Sequence, residues 1–317
     1  MARLGVFRLE VGGEDPERVR TGRQSWRESG QQDRRDARAE FTIWQGMKGR
    51  VPTVLENSGK SWKKSDPGKN SEENLSFLKS YQPRNTDIKH LRILVHGPVG
   101  SGKSSFINSV NNVLQNRITC RAPADAVTGG SYTTYKISKD PEGSYSFMFS
   151  DTMGFEKPDG RGVHVEDIKL ALKGHVKDGY KFKPEEPLTE GDFYNPSPTL
   201  DDRVHVLVSV VPAYMISLMN NEAFCASTGI PQLAIITNID RECPKVRGNI
   251  KYAYWSKVLM EWVEKCSFLL GMPPNCIFLV KNYHSETKTS DDIDALILVA
   301  LREMVSVGED FLNDLQG

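Results

Sequence analysis

The sequence predicts an α/β protein built on a doubly wound, mostly parallel six-stranded sheet with flanking helices, and three observations predict it. From Leu91 onward, short apolar runs alternate with longer amphipathic stretches, the texture of strands covered by helices. The run Gly97-Pro98-Val99-Gly100-Ser101-Gly102-Lys103-Ser104 matches GxxxxGK[ST] and stands between an apolar strand and an amphipathic helix. Two later strands end on Asp151-Thr152-Met153-Gly154 and Thr237-Asn238-Ile239-Asp240. In that order the three signals specify a P-loop NTPase fold of the G-domain-like type.

Strands are expected at Leu91 to His96, Tyr132 to Ser138, Tyr145 to Ser150, Val204 to Val210, Gln232 to Thr237 and Cys276 to Val280. A short helix is expected from Glu72 to Ser80, with Ser71 as its cap and Glu72 and Glu73 in the first turn, where the helix dipole favours carboxylates. It should pack beside the domain that follows. The stretch Ser105 to Leu114 places Phe106, Ile107, Val110, Val113 and Leu114 on one helical face. A further helix is expected around Val165 to Gly174. Another, from about Ile250 to Leu270, carries Val258, Leu259, Trp262, Val263, Cys266 and Leu269 inward and stops at Gly271. The last, Asp292 to Leu312, buries Ile293, Leu296, Ile297, Ala300, Leu301 and Met304.

These elements divide the chain into a domain over residues 89–317, a linker with one short helix over 62–88, and a segment over 1–61. The last mixes Arg, Glu, Gln, Gly and Ser with few apolar residues, so it is expected to be disordered. Within the domain, residues 155–202 are an insertion. Beyond one helix it is an irregular tract punctuated by Pro184, Pro187, Pro196 and Pro198, and loops of that length are usually functional or disordered.

Composition excludes more than it selects. Lysine plus arginine equals aspartate plus glutamate at 41 each, so no net field draws the protein to nucleic acid or to an anionic membrane. No stretch approaches the roughly 20 apolar residues of a membrane span, and the start of the chain lacks the apolar core of a signal peptide. Ala2 excludes glycine myristoylation, and the end of the chain carries no prenylation cysteine. Cys120, Cys225, Cys243, Cys266 and Cys276 are odd in number and widely spaced, which suits buried thiols in a reducing compartment. The expected location is cytoplasmic, without direct membrane insertion.

The phosphate site is the most specific motif. Its glycines let backbone N–H groups converge, and the helix that follows presents its positive end. Gly97, Pro98, Val99, Gly100, Ser101, Gly102, Lys103, Ser104 and Ser105 are therefore the expected phosphate-binding residues. Lys103 would reach the β- and γ-phosphates, and the Ser104 hydroxyl would ligate Mg²⁺. Asp151 could hold the same Mg²⁺ through water, and the Gly154 N–H could sense a γ-phosphate. Thr128, ahead of two glycines in the tract Ala124 to Thr134, is the candidate for a second Mg²⁺ hydroxyl. Thr133 and Thr134 read as strand residues.

At the base end, Asp240 falls where a GTPase carries the carboxylate of Asn-Lys-x-Asp or Thr-Lys-x-Asp. A carboxylate there can accept from guanine N1–H and the 2-amino group at once, a pair of donors adenine does not offer. A turn or helix-cap role is the plainer reading of Asp240. Asn238 stands in place of the usual lysine. Lys281 and Asn282 follow the last strand where a segment backing the base is expected. Phe155 directly follows Gly154, where many small GTPases have a water-orienting glutamine, so no catalytic residue is assigned. The insertion holds Arg161 and His164, which read first as a solvated loop.

Taken together, HLRILVHGPVGSGKSSFINSV, SDTMGFE, PSPTLDDRVHVLVSVV, FLVKNYHSE and ALILVALREM resemble the interferon-induced protein 44 family over about residues 62 to 317. The resemblance implies a cytoplasmic GTP-binding protein induced by interferon and linked to antiviral and antiproliferative responses. Some members carry another domain before the G domain. Residues 1 to 61 show no counterpart of it. The leading expectation is a switch or scaffold that binds GTP/GDP with Mg²⁺, hydrolyses GTP slowly or with a partner's help, and engages a protein partner. The alternatives are an active GTPase completed by nucleotide-dependent homo-oligomerisation and an ATP-dependent phosphotransferase. The second needs an arginine-rich lid, and the insertion has only Arg161.

Overall fold

A computed structural model of the chain describes residues 67–119, 130–139, 143–152, 163–183, 185–216 and 229–315. Among them six strands form one sheet: β1 Leu91–His96, β2 Thr133–Ser138, β3 Ser144–Asp151, β4 Val206–Pro212, β5 Gln232–Thr237 and β6 Ile277–Leu279. Their order is β2-β3-β1-β4-β5-β6, with β2 antiparallel to β3 and the other pairs parallel. Neighbours on the two sides of β1 are reached by connections running in opposite directions, so a crevice opens at its carboxyl end. This is the predicted G-domain-like P-loop fold. The expected disorder of 1–61 lies outside the described residues.

The helices are α1 Ser71–Ser80, α2 Lys103–Gln115, α3 Val165–Leu172, α4 Ala213–Ile216, α5 Ile239–Glu242, α6 Pro244–Gly248, α7 Lys257–Leu270 and α8 Asp291–Asp314. Register fixes the two faces of the sheet. Leu91 and Ile93 stand beside Phe147 and Phe149, and Val206 beside Ile93, all buried on one apolar face. Phe106 of α2 meets Phe149 edge-on with ring centroids 6.0 Å apart. Gly308 lets α8 approach the same face: a Cβ there would lie 2.7 Å from Leu91 and Val206 side-chain carbons. Outside this layer, α1 docks on α8. Tyr81 donates to Glu309 Oε2 at 2.7 Å, and Arg302 donates to Asn74 Oδ1 at 2.7 Å, so the linker helix does pack on the domain.

The opposite face carries polar groups near β1. Arg92 donates to Thr134 Oγ1, Ser150 Oγ and the Asp201 carbonyl at 3.2 to 3.4 Å. The described part of the tract 155–202 makes many hydrogen bonds outside helices and strands. Tyr132 N donates to Tyr180 O at 2.7 Å, Gly179 N to Tyr132 O at 2.8 Å and Phe182 N to Gly130 O at 3.2 Å. Buried Asp167 accepts from Leu188 N at 2.7 Å and Tyr180 Oη at 3.1 Å. The described part of the tract thus satisfies its backbone N–H groups with scattered carbonyls and the Asp167 carboxylate in place of a continuous ladder.

Three local expectations are corrected. The expected cap Ser71 is the first helical residue; Asn70 is the N-cap, and its side chain accepts no capping bond. The helix expected over 250–270 is broken: Ile250–Trp255 is 3₁₀, and α7 starts anew because Ser256 Oγ accepts from Leu259 N. Val258, one residue and so about 100° round the helix from Leu259, is 45% exposed, while Leu259, Val263, Cys266 and Leu269 are buried. Gly271 closes α7 in the left-handed region at φ 65°, as expected. Cys243, Cys266 and Cys276 are free and buried, and burial pushes the Cys266 thiol up to about 12. Cys120 and Cys225 lie outside the described residues.

Candidate functional site

The phosphate loop begins where β1 stops. Gly97 takes φ 154° and lies so close to β4 that a Cβ would stand 2.3 Å from Val210 O. Gly100 and Gly102 take φ 72° and 94°, left-handed values that side chains rarely tolerate. Ser101 N donates to Pro98 O at 3.1 Å and closes the turn, while Val99 and Gly100 remain exposed at its tip. The first turn of α2 starts at Lys103, so the N–H groups of that turn point toward the loop.

Two side chains define the polar floor. Lys103 is 1% exposed, and its ammonium donates to Gly97 O at 3.3 Å and Pro98 O at 3.1 Å. The Ser104 hydroxyl donates to Asp151 Oδ2 at 2.7 Å, a short charge-assisted bond joining the start of α2 to the end of β3. Sequence reasoning paired these residues through a metal; the fold pairs them directly. A hydroxyl and a carboxylate side by side are hard oxygen donors, which suits Mg²⁺ rather than a soft metal. Among the described residues there is no cluster of three or more His, Cys, Asp or Glu able to hold a metal ion.

Beneath the loop lies His96, the last residue of β1. Its Nε2 is hydrogen-bonded to Ser209 Oγ of β4 at 2.9 Å. Burial, reinforced by the Lys103 ammonium, lowers its pKa to about 3, so the ring is neutral. A neutral ring tolerates the neighbouring cation. Neither His96 nor Ser209 stood out in the sequence, because a histidine ending an apolar strand carries no motif.

The residues expected to read a base follow the ends of β5 and β6. Asn238 adopts φ 57°, a left-handed turn that asparagine accepts more readily than other side chains. Asp240 sits in the first turn of α5, partly exposed, and its carbonyl accepts from Arg247 Nε at 3.1 Å. Lys281 pairs with Glu286 at 2.8 Å. Desolvation would raise the Glu286 carboxyl, but the His284 N–H and the Lys281 ammonium outweigh it and hold the group at about 2. The Asn282 side chain reaches the P-loop, where its Nδ2 donates to Gly102 O at 3.1 Å. Thr237 was overlooked within Thr-Asn-Ile-Asp. Its Oγ1 donates to Ser101 O at 2.6 Å, and its position one turn before Asp240 was the available signal.

Of the remaining candidates, Thr128 and Gly154 lie outside the described residues, as do Phe155 and Arg161. His164 caps α3, accepting from Glu166 N at Nδ1 over 3.2 Å. The fold therefore gathers Gly97 to Ser105, Asp151, Asn238, Asp240, Lys281 and Asn282 around the crevice at the carboxyl ends of β1, β3, β5 and β6.

No family model matches the chain. Interferon-induced protein 44 of Homo sapiens is 32% identical to it over 256 residues, covering 76% of this chain and 57% of that protein. The Pan troglodytes protein of the same name gives the same values. Interferon-induced protein 44-like of Homo sapiens is 33% identical over 260 residues, 76% of this chain and 56% of that one. The chain spans a little over half the length of the curated relatives it matches. Among solved structures, Toc33 from Arabidopsis thaliana in complex with GDP and Mg²⁺ is similar at TM-score 0.40 and 15% identity, covering 76% of this chain and 92% of that one. The septin GTPase domain from Chlamydomonas reinhardtii reaches TM-score 0.36 at 12% identity, covering 72% and 98%. Likenesses that loose add nothing to the topology described above. Identity of about a third across 76% of its length is different in kind, and by it the chain belongs to the interferon-induced protein 44 family.

Proposed function

We propose that the chain binds GTP and GDP with Mg²⁺ and acts as a nucleotide-dependent switch or scaffold in the interferon-induced antiviral response. The reading is supported by Lys103 and the Ser104–Asp151 pair standing just beyond the carboxyl ends of the parallel strands β1 and β3, with Asp240 just beyond that of β5 in the same sheet. In this reading the N–H groups of Gly100 to Ser104 and the Lys103 ammonium hold the β- and γ-phosphates. Ser104 and Asp151 supply oxygens to Mg²⁺, which neutralises phosphate charge when bound, with Thr128 as a further hydroxyl. Asp240 accepts from the guanine edge, and Gly154 senses the γ-phosphate. Residues 89–317 form the nucleotide-binding domain, and its place of action is the cytoplasm.

Hydrolysis is slow or partner-dependent in this reading, because the phenyl ring of Phe155 cannot orient water. Turnover that rises with protein concentration would instead favour the self-associating GTPase. Among the described residues no helix is long and apolar enough to cross a membrane. The deciding experiment is titration with fluorescent GTP and ATP analogues of wild type, Lys103→Ala and Asp240→Ala. GTP preference that is lost in Asp240→Ala supports the proposal; preference for ATP in wild type overturns it.

A further inference from the structure

We propose that the surface formed by α5, α6, the 3₁₀ turn Ile250–Trp255 and the start of α7 binds an anionic lipid bilayer. The chain as a whole balances 41 basic against 41 acidic residues, but residues 241–257 do not. They hold Arg241, Lys245, Arg247, Lys251 and Lys257 against Glu242 alone, and all of these side chains are exposed. Asp292 offsets Lys251 at 3.6 Å, whereas Arg247 donates to the carbonyls of Asp240 and Arg241, which leaves its charge in place. α5 packs on α6, α6 on the 3₁₀ turn and the turn on α7, so the pieces make one continuous surface.

Burial sets the side on which the charges stand. Cys243, Val246, Ala253 and Ser256 of the same tract are buried against the domain, and the remaining side is left to solvent. Apolar groups stand there too. Among the described residues seven large hydrophobic side chains are exposed, and Tyr252, Trp255 and Val258, at 45%, 51% and 45%, are three of them. Residues three apart in a 3₁₀ helix eclipse one another, so Tyr252 and Trp255 form one row. The Lys245 ammonium lies 5.0 Å from the Tyr252 ring centroid and joins the basic part to the aromatic part. Clustered lysine and arginine with exposed tryptophan, tyrosine and an aliphatic side chain complement a lipid surface: the cations meet headgroup phosphates while the rings settle at the acyl boundary. A single-stranded nucleic acid fits less well, because it stacks bases on open ring faces. Lys245 already covers the Tyr252 ring, and Val258 has no face to stack on. The contact is peripheral and independent of whether the crevice holds a nucleotide.

The test is cosedimentation of the full chain with vesicles of phosphatidylcholine alone or with about 30% phosphatidylserine. Wild type should bind the anionic vesicles and leave the neutral ones. Lys245→Gln combined with Lys257→Gln should lower partitioning about tenfold to thirtyfold, and Trp255→Ala about tenfold. Urea midpoints should not move, since all three side chains are exposed. Residues 1–61 carry arginines of their own, so the variants decide rather than wild-type binding. No binding to anionic vesicles, equal binding to neutral ones, or binding unchanged in both variants would overturn the proposal. So would a polyuridine probe that binds in place of vesicles and is lost in the same variants, which would assign the surface to nucleic acid. Self-association without vesicles that disappears in Trp255→Ala would likewise overturn it, in favour of a second copy of the chain.

Discussion

At the phosphate end of the crevice, Lys103 and Ser104 are 1% and 3% exposed and each is tied by hydrogen bonds to a strand end or to the loop itself. At the end proposed to read a base, Asn238, Asp240 and Lys281 are partly exposed and sit on short helices and turns. The first is preorganised: its geometry is over-determined by glycine conformations, a buried cation and neighbouring strands. The second is a surface of polar side chains whose arrangement a ligand can still adjust. The difference teaches that affinity should reside in the phosphate end and selectivity in the base end.

The strongest way to break that contrast is Gly97→Ala. The new Cβ would stand 2.3 Å from a backbone oxygen of β4 at a strained φ, so neither atom can yield cheaply. Urea denaturation should show a loss above about 4 kcal/mol, or no folded protein at all. A mild loss would mean the loop is more adaptable than its glycines imply.

Lys103→Ala should come next, with GTP binding reduced more than about a hundredfold while the guanine-over-adenine ratio among residual binding is unchanged. Asp240→Ala should do the reverse. Direct competition between GTP and ATP should show selectivity falling about tenfold to a hundredfold, with the phosphate-dependent part of binding retained. Were both variants to lose affinity and selectivity together, the two ends would be one cooperative unit rather than two.

The smallest effect sharpens the picture of what lies beneath the phosphate end. His96 and His205 are held neutral by burial, with pKa lowered to about 3 and about 4 from an ordinary 6.5. His205 is fixed in its tautomer, accepting from Arg92 N at Nδ1 and facing Leu200 O with Nε2. Between those limits the unfolded chain binds more protons than the folded one. Stability is therefore fully present above about pH 6.5 and declines as pH falls toward 4 and 3, at about 1.4 kcal/mol per pH unit for each imidazole. Denaturation midpoints measured from pH 7 to 4 should follow that slope, and His96→Leu should remove one imidazole's share.

Much of this was legible beforehand because the signals are local. An apolar run of five or six residues bounded by glycine or polar residues is a strand in most contexts, and all six were placed within two residues of their ends. The P-loop is a contiguous motif whose glycines dictate their own dihedrals, so Gly97, Gly100 and Gly102 needed no partner to be read. The misplaced features share a cause. Val258 faces solvent because a helix face only about 100° wide is buried, and whether Ser256 caps a new helix or merely continues a turn depends on packing around it.

Sequence by itself determined the strand order of signals, the phosphate loop and the family, since each rests on residue types at fixed short spacings. Only the tertiary structure decided that Ser104 meets Asp151 directly, that His96 lies neutral against Ser209, and that Thr237 and Asn282 reach back to the P-loop. Those pairs join residues 47 to 180 positions apart, a separation at which no periodicity operates. A hydroxyl or amide finds its partner through the register of parallel strands, and register exists only once the sheet has formed.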